Sequence, residues 1–148
     1  MVFNRANEAL PNSYPEIPKW GGQCLGDKTI VLTQYNSAGG GDDIMFAEML
    51  PDIIQSVKRC YVEVDPRSEP LYRRALSAEE VLLYGEPVWS NPENIDFQLL
   101  VSDCALILRK NKKDFATRIG YLKADQEKLE QWGKVINSIA CSDLKVGI

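Results

Sequence analysis

The chain has 148 residues, 45% apolar and 26% charged, the make-up of one soluble globular domain with a real core. Seventeen basic against 21 acidic residues leave a net charge of −4, which repels phosphate backbones and argues against nucleic acid as a partner. There is no histidine, so Ser-His-Asp and Cys-His nucleophile pairs, imidazole acid–base chemistry and histidine metal sites are excluded.

No apolar run approaches the roughly 20 residues that cross a bilayer. The first twenty residues hold prolines, asparagines and charges instead of a signal-peptide core, so a cytoplasmic location is expected. Cys24, Cys60, Cys104 and Cys141 form no C-x-x-C pair and are expected to be buried, reduced thiols.

Residues 1–27 read as an irregular arm punctuated by Pro11, Pro15, Pro18, Gly21, Gly22 and Gly26. Tyr14, Ile17 and Trp20 are the side chains that could staple it to the domain. Thr29 to Thr33 is a short, β-branched, continuously apolar run, as suits a strand buried on both faces. A turn from Asn36 to Asp43 follows. Phe46, Leu50, Ile53 and Val57 then mark one helix face, and Pro51 must kink that helix or start its second piece.

Arg59 to Val64 is the expected second strand, closed by Asp65-Pro66. Ser68 is placed to cap a short helix through Leu76, with Glu69 in its first turn. Glu80 to Tyr84 and Phe97 to Val101 are the third and fourth strands, separated by a loop from Gly85 to Asn94. Cys104 to Leu108 starts a further helix. The last helix is capped by Asp125 and carries an apolar stripe of Leu129, Trp132, Ile136 and Ile139. Lys145 to Ile148 reads as the opening of one more strand.

Strands alternating with helices predict an α/β domain of Rossmann-like type: a mainly parallel sheet with helices on both faces. The expected division is an arm at 1–27, the domain at 28–144, and the start of a further strand or second domain at 145–148.

Ligands of open α/β sheets bind beyond the carboxyl ends of strands, which singles out Gly39-Gly40-Gly41-Asp42-Asp43 after the first strand. Glycines admit a ligand to the backbone, and a helix start offers free N–H groups. The segment lacks the third glycine of a dinucleotide fingerprint, since Ile44 stands there, and the lysine of a P-loop. A Gly-Asp-Asp triplet alone is too short to indicate a polymerase metal site. Two carboxylates repel a phosphate, which favours Asp42 as a general base toward a sugar hydroxyl. Locally, a plain helix cap and tight turn explain the same residues and outweigh that role.

Three weaker candidates accompany the turn. Arg109, Lys110, Lys112 and Lys113 could hold an anion, or be a solvated charge run. Asp65 stands where Rossmann proteins keep a ribose-binding acid, yet Asp-Pro also ends strands. Trp89 could stack on a sugar, or lie over the core edge.

Several short pieces recur in a known order. They are Trp20-Gly21, Gly26-Asp27-Lys28-Thr29-Ile30, Gly39-Gly40-Gly41-Asp42, Ile44-Met45-Phe46 and Leu50-Pro51. Val62 to Pro66 with Leu71, Tyr121 to Asp125, Trp132 and Lys145-Val146-Gly147 continue the series. In order and spacing they resemble the N-terminal domain of heptosyltransferase-like glycosyltransferases of the GT-B fold, in the group associated with tetratricopeptide repeats. The resemblance runs from Trp20 to Ile148.

The resemblance implies half of a GT-B architecture, with a sugar or glycan acceptor held by this half. It also implies a nucleotide-sugar donor held by a C-terminal domain absent from the chain. By itself such a half is expected to be inactive. Asp42 would be the catalytic base, with Ser37, Gly39, Gly40, Gly41 and Asp43 as substrate contacts and neither metal nor cofactor required. The chain differs from the family pattern at Ser37-Ala38, at Glu48-Met49 and at Ser102-Asp103-Cys104. A non-catalytic glycan- or protein-binding module is therefore the alternative, and an exposed apolar edge would lead to self-association.

Overall fold

The computed structural model describes residues 14–34, 40–76, 81–83, 94–115 and 120–140. Four strands, β1 (Thr29–Thr33), β2 (Arg59–Val64), β3 (Val81–Leu83) and β4 (Phe97–Leu100), form one wholly parallel sheet in the order β3-β2-β1-β4. Ile30 lies level with Cys60 on one side and Phe97 on the other. From β1 the chain steps outward to β2 and β3, then returns to place β4 on β1's free side. The expected α/β class and parallel pairing are therefore present.

The helices are α1 (Gly40–Ala47), α2 (Leu50–Ile54), α3 (Glu69–Ala75), α4 (Cys104–Leu108) and α5 (Gln126–Ala140), with 3-10 turns at Val101–Asp103 and Lys112–Asp114. The split between α1 and α2 follows from Pro51. A proline ring clashes with the carbonyl four residues earlier, here that of Ala47, where α1 ends. Pro51 then sits in the first turn of α2, where no partner for its missing N–H is needed. Ser68 precedes α3 without a side-chain capping bond. Its neighbour Asp65 instead orders that turn, accepting from the Arg67 N–H at 2.7 Å. Asp125 caps α5 as expected, accepting from the Lys128 N–H at 3.1 Å.

Alternation along the strands gives the sheet two different faces. Ile30, Leu32, Cys60, Val62, Val64 and Leu99 point to one side, where Leu50 and Ile53 of α2, Tyr72 of α3 and Cys104 of α4 complete the main core. On the other side stand Val31, Tyr61, Glu63 and Gln98. Among the described residues that second face is covered by the arm, through Tyr14 and Ile17, together with Ile95. Two-sided helix packing was expected there.

The chemistry of the face explains the arm. Gln98 and Glu63 are buried polar groups, and burying them unpaired is costly. An irregular segment has carbonyls to offer, whereas a helix has already used its own. Gln98 Nε2 donates to the carbonyl of Ile17 at 2.5 Å and to that of Tyr14, while its Oε1 accepts from the Tyr14 N–H at 3.0 Å. The Tyr14 hydroxyl donates to Glu63 Oε1.

Farther along, Lys19 pairs in parallel with Gln98 and covers the open edge of β4. Pro18 accepts from the Gln98 N–H at 3.0 Å, and Trp20 donates to the Gln98 carbonyl at 2.9 Å. Ile17 and Trp20 are both buried, so the stapled arm is real.

Candidate functional site

The topology reverses between β1 and β4, and in open α/β sheets ligands bind in the crevice at that point, beyond the strands' carboxyl ends. β1 ends at Thr33 and Gln34 follows it, both buried, and Gln34 Nε2 donates to the Tyr72 hydroxyl at 3.0 Å. The turn at 35–39, with Ser37 and Gly39, lies outside the described residues.

Gly40, Gly41 and Asp42 are the first three residues of α1, and Asp43 follows in the helix backbone. The structure thus brings the glycine-aspartate segment to the carboxyl end of the central strand. Asp42 is exposed.

Gly41 is informative. Its φ is not positive, and a Cβ built there would meet none of the described residues within 4 Å. Among the described residues, neither backbone conformation nor internal packing calls for a glycine at this place. Glycine in a helix costs about 0.5–1 kcal/mol relative to alanine. Open space above a bare backbone is the geometry that close approach of a ligand would use.

Across the crevice, the turn at Val101–Asp103 and the start of α4 follow β4, and α1 packs beside that turn. Burial raises the Asp103 carboxyl above the ordinary carboxylate range, with the Lys19 charge opposing. In the sequence this residue stands out only within Ser102-Asp103-Cys104, where the chain differs from the family pattern. Its position after the strand next to β1 is the signal that could have marked it, but strand order is not written in the local sequence.

Two contacts fix α1 from a distance. The Tyr121 hydroxyl donates to the carbonyl of Ile44, one of the last four carbonyls of α1, which have no partner within the helix. Arg109, at the end of α4, bonds Glu48 at 3.2 Å and Asp52 at 2.7 Å, and its guanidinium lies 5.9 Å from the Phe115 ring. Burial works against the Arg109 charge, but the two carboxylates outweigh it and hold the group above its ordinary value. With a side chain only 6% exposed, Arg109 is removed from the expected basic cluster. Lys110, Lys112 and Lys113 remain exposed.

The remaining candidates fare differently. Asp65 is occupied by Arg67, whose side-chain and main-chain hydrogen bonds hold the carboxyl down at about 2. Trp89 and Cys141 lie outside the described residues. Cys60 and Cys104 are buried free thiols, as expected, and burial pushes Cys104 up to about 12, whereas Cys24 is exposed. Among the described residues no group of three or more His, Cys, Asp or Glu side chains could hold a metal ion. No helix among them is long and apolar enough to cross a membrane.

No family model and no solved structure matches the chain. The chain is similar to protein FlbA of Caulobacter vibrioides, at 27% identity over 128 residues, which covers 77% of this chain and 21% of FlbA. It thus spans about a fifth of that relative's length.

Proposed function

We propose that this chain is the Rossmann-like, acceptor-side half of a GT-B glycosyltransferase, which transfers a sugar from a nucleotide-sugar donor once a donor-binding second domain closes over it. The observation that carries the reading is the placement of Gly40, Gly41 and Asp42 at the start of α1, directly beyond central strand β1 at the β1–β4 reversal. The strand order β3-β2-β1-β4 also supports it, being the order of the first four strands in a Rossmann sheet.

In this mechanism Asp42 takes the proton of the acceptor hydroxyl as that oxygen bonds to the donor's anomeric carbon. The bond from that carbon to the phosphate oxygen breaks, and its electron pair leaves with the nucleotide. A bare backbone at Gly40 and Gly41 lets the acceptor approach the free N–H groups of the helix start, with Ser37, Gly39 and Asp43 as further contacts. A second domain would also exclude water from the exposed carboxylate as transfer takes place.

One observation favours the second reading, a non-catalytic glycan- or protein-binding module. Asp42 is exposed, and no described neighbour positions it as a base.

The test is sugar transfer by a protein that joins this chain to a donor-binding domain. The Asp42→Asn substitution should slow transfer by about 10²–10⁴-fold. An unchanged rate removes Asp42 from the role. Saturable glycan binding by the chain, with no turnover in any longer protein, establishes the module instead.

A further inference from the structure

Helix α5 carries a conspicuous surface for which the proposed chemistry has no use. Leu129, Trp132, Ile136 and Ile139 recur at spacings of three, four and three, and Val135 widens the stripe. In a folded domain such a stripe is normally the face that meets the core. Among the described residues it stays largely open to solvent: Trp132 is 60% exposed, Leu129 56%, Ile136 42% and Ile139 78%. Arg74 anchors the start of the helix, reaching Asp125 at 3.7 Å and the Lys123 carbonyl at 3.0 Å.

We propose that α5 pairs with α5 of a second copy of this chain as a short antiparallel coiled coil. The spacing suits the arrangement, because alternating steps of three and four line Leu129, Trp132, Ile136 and Ile139 along one seam, with Val135 at its flank. With the two-fold axis level with Lys134, the register closes on itself. Leu129 faces the partner's Ile139, Trp132 faces the partner's Ile136, and symmetry repeats both layers, so every stripe residue has an apolar partner.

The flanks suit the same arrangement. Gly133 borders the seam on one side, and a Cβ there would meet nothing within 4 Å, so the backbones can come close. Val135 extends the apolar strip on the other side. Glu127, Glu130 and Lys134 fall on the outer face, so pairing sets no like charges against each other.

Area and charge favour a protein over a lipid surface. The stripe exposes roughly 500 Å² per helix, so a pair would bury about 1,000 Å², the lower bound for a specific, reversible interface. The polar side of α5 balances Glu127 and Glu130 with Lys128 and Lys134, which gives no attraction to anionic lipid. The pairing does not depend on what chemistry the domain supports.

Sedimentation equilibrium of the intact chain, from micromolar to near-millimolar concentration, should show monomer and dimer exchanging. Ile136→Glu and Ile139→Glu should each weaken the dimer by at least about tenfold. Gly133→Cys places a thiol beside the two-fold axis and should give a disulfide-linked dimer on mild oxidation. Lys134→Cys, on the outer face, should give no more than the background from exposed Cys24. A monomer at all concentrations, association untouched by both glutamate substitutions, or equal cross-linking from the two cysteine positions would overturn the proposal. Adsorption of the chain to phosphatidylcholine vesicles in place of dimerisation would also overturn it.

Discussion

Arg109 and Asp52 stand 57 positions apart in the sequence, yet the guanidinium of one lies 2.7 Å from the carboxylate of the other. The bond ties the end of α4 to α2, and through Glu48 to the segment that follows α1. It therefore supports the helix that begins with Gly40, Gly41 and Asp42. An arginine that looked like part of a ligand-binding cluster is a brace.

Removing the brace should be expensive. Arg109→Met leaves two carboxylates without their cation, and breaking a buried pair costs about 3–5 kcal/mol. Glu48 and Asp52 are 35% and 24% exposed and regain some water, which lowers the expected loss to about 2–3 kcal/mol. Arg109→Lys keeps the charge without the forked geometry and should recover only part of it. Urea unfolding midpoints of the three proteins check the order.

Gly41→Ala should separate stability from function. With open space around the Cβ and no positive φ, alanine should raise stability by about 0.5–1 kcal/mol. Thermal unfolding measures that gain. The same methyl group stands where an acceptor would approach, so glycan affinity should fall by at least about tenfold. A stabilised variant with unchanged affinity would place the ligand elsewhere.

Glu63 and Asp65 lie two positions apart and should give opposite dependences on pH. Burial raises the Glu63 carboxyl, with the Tyr14 hydrogen bond opposing. Its native-state preference is for the protonated form. The stability it supports is thus full below the unfolded value near 4.5 and declines as pH rises through the higher folded value. Asp65 is held down at about 2 by Arg67, so its contribution is full above the unfolded value of 3.8 and is lost as pH falls toward 2. Glu63→Gln keeps an acceptor for the Tyr14 hydroxyl and cannot ionise. Relative to the parent, this variant should gain stability from about pH 4.5 upward until the folded carboxyl has also ionised, and then level off, as urea unfolding across that range would show.

Local chemistry is legible wherever a short segment decides its own fate. The segments Thr29–Thr33 and Arg59–Val64 are strands at the expected boundaries, Pro51 divides a helix, and Asp125 caps another. The position of the glycine-aspartate segment at the end of β1 follows from the same local reading. Gly41's open surroundings, Asp103's place across the crevice and the brace at Arg109 do not, because each depends on which strand or helix lies alongside.

Glu63 shows the limit most clearly. An acid in a strand reads as a solvent-facing residue, yet it is buried because Tyr14, from the arm, lies over it. The stripe on α5 shows the converse, since its periodicity fixed a helix with one apolar side but not what that side would meet. Sequence alone determined most strands and helices, the break at Pro51, the cap at Asp125 and the α/β alternation, for these rest on sterics and hydrogen bonds within a few residues. Tertiary structure decided the strand order, the partners of Arg109, Glu63 and Gln98, and the exposure of α5. Those depend on groups far apart in the chain, whose meeting is set by the packing of the whole sheet.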